Sequence, residues 1–266
     1  FIGCISDHFL ILDSFVLSKL SFTNLLSSLF MLNHFFFYRI AVLAPLLLMP
    51  MLSQAQSVSL GADFVNRYVW RGYDFGNSFS VQPDLSLSAG GFTIGSWASY
   101  SISADGGQAD EHDLYASYSI GLLNSGSVDL TVTDYYFPNT GDWSDFDGEG
   151  EGSHWIELMG SITLPESFPL TLAAALMVHN DPDNSLYIEV AVPFSVSDVD
   201  LGLTLGVVAG ESAFYGVTDA HLVNLGISAS KDLQITESFS LPLSAGYILN
   251  PATDKSHLVF GFSLSP

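Results

Sequence analysis

The stretch Ser127-Val128-Asp129-Leu130-Thr131-Val132-Thr133 puts three apolar side chains on one face of an extended chain and Asp129, Thr131 and Thr133 on the other. That follows because successive side chains of a strand point to opposite faces. The same period of two continues outward in both directions. Val58, Leu60, Ala62 and Phe64 alternate with Asp63; Val81, Leu85 and Leu87 alternate with Gln82, Asp84 and Ser86; Leu114, Ala116, Tyr118 and Ile120 alternate with Asp113 and Ser117. Ile156 and Leu158 flank Glu157, Leu186, Ile188 and Val190 flank Glu189, and Leu201, Leu203, Leu205 and Val207 are spaced by glycine and threonine. The whole reads as about twelve segments of roughly ten residues, close to the length of a tilted membrane-crossing strand. An all-β, transmembrane antiparallel β-barrel is the expected fold.

The connections alternate too. Short ones are expected at 89–91, 123–126, 164–169, 195–198 and 230–237, and longer, more polar ones at 68–78, 104–111, 138–153, 179–184, 210–218 and 250–256. Short turns on one side and long loops on the other is the outer-membrane arrangement, with the short set periplasmic. A soluble β-sandwich or lipocalin-like barrel also alternates. It would bury its apolar face and turn polar side chains outward, and these strands carry too little charge for that. A bilayer accepts the apolar face, and closure of the sheet leaves no free edge in lipid.

Composition points the same way. The 266 residues hold 6 Lys and Arg against 28 Asp and Glu, a net charge of −22, yet 48% are hydrophobic. So acidic a chain repels a phosphate backbone, which excludes nucleic acid as a partner. Its one cysteine, Cys4, offers neither a disulfide framework nor a thiolate metal site. Residues 1–30 are apolar without either period and read as sequence upstream of the true start at Met31. Residues 31–55 read as a signal peptide, with Arg39 in the n-region, an apolar run Ile40 to Met49 and cleavage after Ala55. A transmembrane anchor within 8–52 is the competing reading, interrupted by Asp13, Lys19, Asn33, His34 and Arg39. The barrel is then residues 56–266.

Asn66-Arg67-Tyr68-Val69-Trp70-Arg71-Gly72, then Gly95-Ser96-Trp97-Ala98-Ser99, then Glu111-His112-Asp113-Leu114-Tyr115 resembles the opening pattern of the TorF-like porin family of bacterial outer-membrane proteins. Tyr68, Arg71, Gly72, Gly95, Trp97, Ser99, Glu111, Asp113 and Tyr115 match that pattern, whereas Asn66 stands where the family has Ser. The match covers residues 58–118, and the rest agrees in strand and turn rhythm. The carboxyl end, Phe262-Ser263-Leu264-Ser265-Pro266, departs from the aromatic last residue common in such barrels. The resemblance implies an outer-membrane barrel of channel-forming type.

With the apolar face outward, Asp63, Asp84, Asp113, Asp129, Glu157 and Glu189 line the lumen, near Tyr115, Trp155 and Tyr187. Arg67 and Arg71 are the candidates to offset them, so the lumen should favour cations. The alternative reading is that Arg71 and one or two acids form a structural ion pair that plugs a narrow barrel. Asp142, Asp145, Asp147, Glu149 and Glu151 crowd the 138–153 loop; Ca²⁺ takes such oxygens, but the spacing is not that of an EF-hand, and a solvated acidic loop is the plainer reading. His112 with Ser117 is the candidate for a hydrolytic pair, and no nucleophile elbow or zinc motif accompanies it. Tyr100, Tyr118, Tyr135, Tyr136, Tyr247 and Phe262 read as girdle aromatics. The expectation is a channel for small cationic or neutral solutes, with no cofactor. Its expected partners are outer-membrane lipid, lipopolysaccharide and the barrel-assembly machinery. A non-conducting structural or adhesive barrel and an outer-membrane lipid-modifying enzyme are the alternatives.

Overall fold

The computed structural model describes residues 56–76, 78–103 and 110–266. The expected upstream segment, the signal peptide and the competing anchor lie outside these residues.

Twelve antiparallel strands close into one barrel. They are β1 (Gln56–Val65), β4 (Ser80–Ala89), β5 (Phe92–Ser101), β6 (Glu111–Gly121), β7 (Ser127–Tyr136), β8 (His154–Thr163), β9 (Thr171–His179), β10 (Leu186–Val196), β11 (Val199–Val208), β12 (His221–Thr236), β13 (Phe239–Asn250) and β14 (Lys255–Leu264). Each pairs with its neighbour in sequence, and β1 closes the sheet by pairing with both β4 and β14. Two further strands, β2 (Tyr68–Trp70) and β3 (Tyr73–Gly76), pair only with each other. They form a hairpin inside the segment expected to be a plain loop.

The alternation read from sequence sets the faces. Leu60, Leu87, Ile94, Leu130, Leu203 and Leu258 stand exposed on the outer surface. Asp84, Ser86, Ser117, Asp129, Thr131 and Thr204 occupy the opposite parity, facing the lumen. This distribution is the reverse of a soluble barrel or sandwich and defines a transmembrane antiparallel barrel. At about 3.4 Å per residue, ten residues tilted near 45° rise about 24 Å, which fits the apolar band of such barrels.

The turns follow the expected alternation, with one correction. The 230–237 connection shrinks to Glu237-Ser238, because β12 runs on for 16 residues to Thr236. Lys231, Asp232 and Gln234 suggest a loop by polarity. Their partners Leu243, Pro242 and Ser240 on β13 nevertheless continue the ladder, and a strand end standing in water tolerates charge.

Glycine makes room for large lumen side chains. Gly95 lies opposite Tyr115 in the register, and a Cβ at Gly95 would come 2.3 Å from the Tyr115 ring. That ring lies over the glycine and sends its hydroxyl to Asp84 Oδ2 at 3.1 Å. Gly95→Ala is expected to displace the ring, break this bond and lower barrel stability by about 1–3 kcal/mol. Thermal unfolding followed by circular dichroism in detergent checks it; an unchanged midpoint would show the contact to be slack.

Candidate functional site

The hairpin folds back into the barrel. Asn66 prolongs the β1–β14 ladder with its side chain, accepting from Phe260 N at 2.8 Å and donating to Leu258 O at 3.0 Å. The chain then turns inward. Trp70 pairs with Tyr73, so Arg71 and Gly72 are a two-residue turn, with φ of 46° and 88°. Positive φ at both positions is the turn that matches strand twist. Glycine adopts it freely, but a bulky arginine there is uncommon and must be held by its surroundings.

Those surroundings are specific. The Arg71 guanidinium donates to Glu157 Oε2 at 2.5 Å and to Oε1 at 3.0 Å, and also to the Tyr215 hydroxyl at 2.8 Å. It lies 4.3 Å from the ring centroids of both Trp70 and Tyr187. Tyr135 donates to Glu157 Oε1 at 3.1 Å. Burial holds the Tyr215 phenol above its ordinary range, so the guanidinium faces a neutral hydroxyl and Glu157 is its counter-charge. A buried bidentate arginine–carboxylate pair of this kind costs about 3–5 kcal/mol to break by removing one partner.

Aromatic packing completes the plug. Trp70 stacks on Tyr215 at 5.9 Å and meets Tyr135 and Phe214 edge-on. Tyr73 donates to Tyr215 O at 2.5 Å. Tyr187, Val208, Tyr215, Val217 and Val223 form a buried cluster with Trp70 and Tyr73 against it. The hairpin leaves the barrel wall between β1 and β4, yet it touches β8, β10 and β12, across the lumen. It therefore spans the interior.

Two bulges serve this contact. The shift at Gly206/Val207 leaves Val223 as an extra residue of β12, and bulges bend a strand. The Val223 backbone lies so near Gly72 that a Cβ there would fall 1.9 Å from its carbonyl oxygen. Asn250 also donates to Gly72 O at 3.2 Å. The second shift, between Ile156 and Glu157, sits beside the ion pair itself.

The nine residues that carry the family resemblance assemble into one place. Gly95 lies opposite Tyr115, Trp97 opposite Asp113 and Ser99 opposite Glu111. Tyr68 packs on Trp97 at 5.3 Å and on Phe75 at 5.4 Å. Its side chain lies beside the buried Glu111 and Asp113 of β6. Thus Arg71 and Gly72 make the tip of the hairpin, Tyr68 its root, and the two strand motifs its seat.

The remaining lumen acids are placed separately. Asp63 accepts from Ser263 at 2.6 Å, Asp84 from Tyr115, Asp129 from Ser127 at 2.8 Å, and Glu189 from Tyr187 at 2.5 Å. Among the described residues their partners are hydroxyls, with Asn224 added at Glu189. Arg67 is spent on Asp74 at 2.8 Å, within the hairpin's own base. Glu157, a selectivity candidate, is the acid of the Arg71 ion pair that the alternative reading expected. Far from the hairpin, Lys231 bonds Asp198 at 2.6 Å and holds that carboxyl below its usual range.

One expectation changes, and one candidate pair falls away. Tyr135 is not a girdle aromatic: adjacent Tyr135 and Tyr136 take opposite faces, and Tyr135 points inward to Glu157. His112 and Ser117 are five residues apart on β6 and face opposite sides, so they form no pair; His112 meets Tyr100 on the outside. In the acidic loop, Asp145 accepts from Asp147 N, and Ser153 bonds the Asp142 and Asp145 carbonyls. Among the described residues no group of three or more acids, histidines or cysteines is placed to hold a metal.

Sequence reasoning missed Trp70, Phe214, Tyr215 and Asn250. The signal available was two adjacent aromatics, Phe214 and Tyr215, inside a segment otherwise read as a polar loop.

Fold and site together define a twelve-stranded membrane barrel with a hairpin anchored inside its lumen. Residues 53–256 match a family described as "Bacterial protein of unknown function (Gcw_chp)", and the chain belongs to that family. No curated protein matches it. Among solved structures it is similar to a KdgM porin, at 11% identity over 78% of this chain and 99% of that one, with a TM-score of 0.47. An outer membrane channel from Pseudomonas putida F1 is similar at 13% identity over 79% and 94%, TM-score 0.44. OprB of Pseudomonas putida is similar at 13% over 70% and 58%, TM-score 0.31.

Gly72→Ala should unseat the hairpin, since both its φ and the Val223 carbonyl oppose a side chain; a cost above about 1 kcal/mol is expected. Limited proteolysis of the refolded barrel would then cut within 66–79 while the strands resist. Equal protection in variant and parent would mean that the tip has room to adjust.

Proposed function

We propose that the protein is an outer-membrane channel for small cationic or neutral solutes, held closed at rest by the β2–β3 hairpin. The apolar outer face and the alternation of short and long connections support the outer membrane, with the hairpin at the extracellular end. The resemblance to TorF-like porins supports the same reading. The observation that carries selectivity is that Asp63, Asp84, Asp129 and Glu189 receive hydroxyl or amide hydrogen bonds rather than a cation. Uncompensated carboxylates beside water-accessible serines and threonines attract cations and repel anions.

The hairpin favours a second reading, a barrel that never conducts. Arg71 decides between them. Arg71→Ala leaves Glu157 unpaired and removes about 3–5 kcal/mol of anchoring. Planar-bilayer recordings of the refolded chain 56–266 should then show larger or more frequent unitary steps than the parent. Silence in both, with folding confirmed, would support the non-conducting barrel.

Selectivity has its own test. Asp84→Asn with Asp129→Asn removes two lumen charges and leaves the hairpin contacts alone. In an Arg71→Ala background, the potassium-over-chloride permeability ratio should fall by about twofold or more. A reversal potential unmoved by the double change would assign selectivity elsewhere.

A further inference from the structure

The plug covers an acid pair that has no cationic partner among the described residues. Glu111 and Asp113 lie two residues apart on the inner face of β6, 2% and 7% exposed. Cross-strand they meet Ser99 and Trp97, and Tyr68 of the hairpin packs on Trp97 at 5.3 Å beside them. Glu111 Oε2 and Asp113 Oδ1 are buried without a hydrogen-bond partner. Both lumen arginines are engaged elsewhere, Arg67 with Asp74 and Arg71 with Glu157. Nor do three ligating groups gather for a metal among the described residues. Two neighbouring carboxylates out of water cannot both be ionised at tolerable cost, and one shared proton relieves the repulsion.

We propose that Glu111 and Asp113 together bind one proton, and that this proton decides whether the hairpin is seated. Tyr68, with Phe75 and Trp97 around it, forms the lid over the pair. Seating the hairpin removes water from the pair; lifting it restores water. Closure therefore takes up a proton, because the dehydrated pair holds it more tightly than the hydrated pair does. Acid favours the closed barrel, and rising pH releases the proton and opens it.

Other charged groups face the pair and set its background. Tyr135 of β7, Glu157 of β8 and Asp134 on the outer face of β7 all surround Asp113 or Tyr68. The Arg71 guanidinium acts on Tyr135 and Glu157 beside them. His257 of β14 lies on the hairpin's other flank, 3.6 Å from Asp74. Its imidazole also touches the hairpin, so its part is separated from that of the acid pair by substitution.

This inference rests on the channel reading, so its test uses a position readout besides current. Cysteines placed at Val69 and Ser256 carry spin labels, and the distance between them is followed from about pH 5 to about pH 9 in refolded barrels. One released proton gives at most about a tenfold change in the seated-to-unseated ratio per pH unit. In the parent the distribution should broaden as pH rises, in step with conductance. Glu111→Gln and Asp113→Asn mimic the protonated pair and should stay seated and quiet across the range. Three results would overturn the proposal: labels that do not respond to pH, a response that survives both amides but is lost in His257→Gln, or one that follows added Ca²⁺ at fixed pH. Labels that move as expected without current would leave the proton switch standing and sink the channel reading instead.

Discussion

The Arg71–Glu157 pair is the contact on which the interior of this molecule depends. A barrel of twelve strands is wide enough to leave free space inside, and strand pairing alone does nothing to fill it. The hairpin fills it by carrying a charge to the far wall. Arginine suits the task because its planar fork meets a carboxylate at two points while its faces stack on aromatic rings. Here both faces are used, by Trp70 and Tyr187, and both Glu157 oxygens are engaged. The strained φ at Arg71 is the cost of aiming the side chain outward from the turn. The glycine that follows lets the turn approach the β12 backbone.

The residues 56–266 hold four basic side chains, Arg67, Arg71, Lys231 and Lys255. Scarcity makes their placement informative. Both arginines serve the hairpin, one at its base and one at its tip. Lys231 bonds Asp198 near the turn after β10. The lumen acids between are consequently left to hydroxyls, which hydrogen-bond a carboxylate without cancelling its charge. The negative lumen proposed above is thus a result of where the cations go, as much as of how many acids there are.

The strands were legible because lipid rewards a strict alternation and the lumen tolerates its complement; Ser127 to Thr133 shows both faces in seven residues. The hairpin was not. Tyr68–Trp70 and Tyr73–Gly76 are too short for a period to register, and their aromatic side chains pack inside the lumen rather than on the outer face. Parity told which acids face inward but not at what height, so Glu157 and Asp129 looked alike. One is buried against Arg71, the other is partly open beside Ser127. The paired tyrosines 135 and 136 could not be sorted by type, because one aromatic suits the interface as well as the plug.

The motif that prompted the family resemblance has a physical account that its spacing alone did not reveal. A strand pair places Gly-x-Trp-x-Ser against Glu-x-Asp-x-Tyr in antiparallel order, so each residue of one triplet meets its counterpart in the other. The small residue faces the large ring, the indole faces one acid, and the serine faces the other. Tyr68 then binds that surface while Arg71, three residues on, crosses to Glu157. The reach from root to tip is fixed by two strand residues and a tight turn. A longer hairpin would overshoot the opposite wall, and a shorter one would strand Glu157 without its partner. The spacing between Tyr68 and Arg71 is therefore matched to the width of this barrel, and the motif measures the lumen it spans.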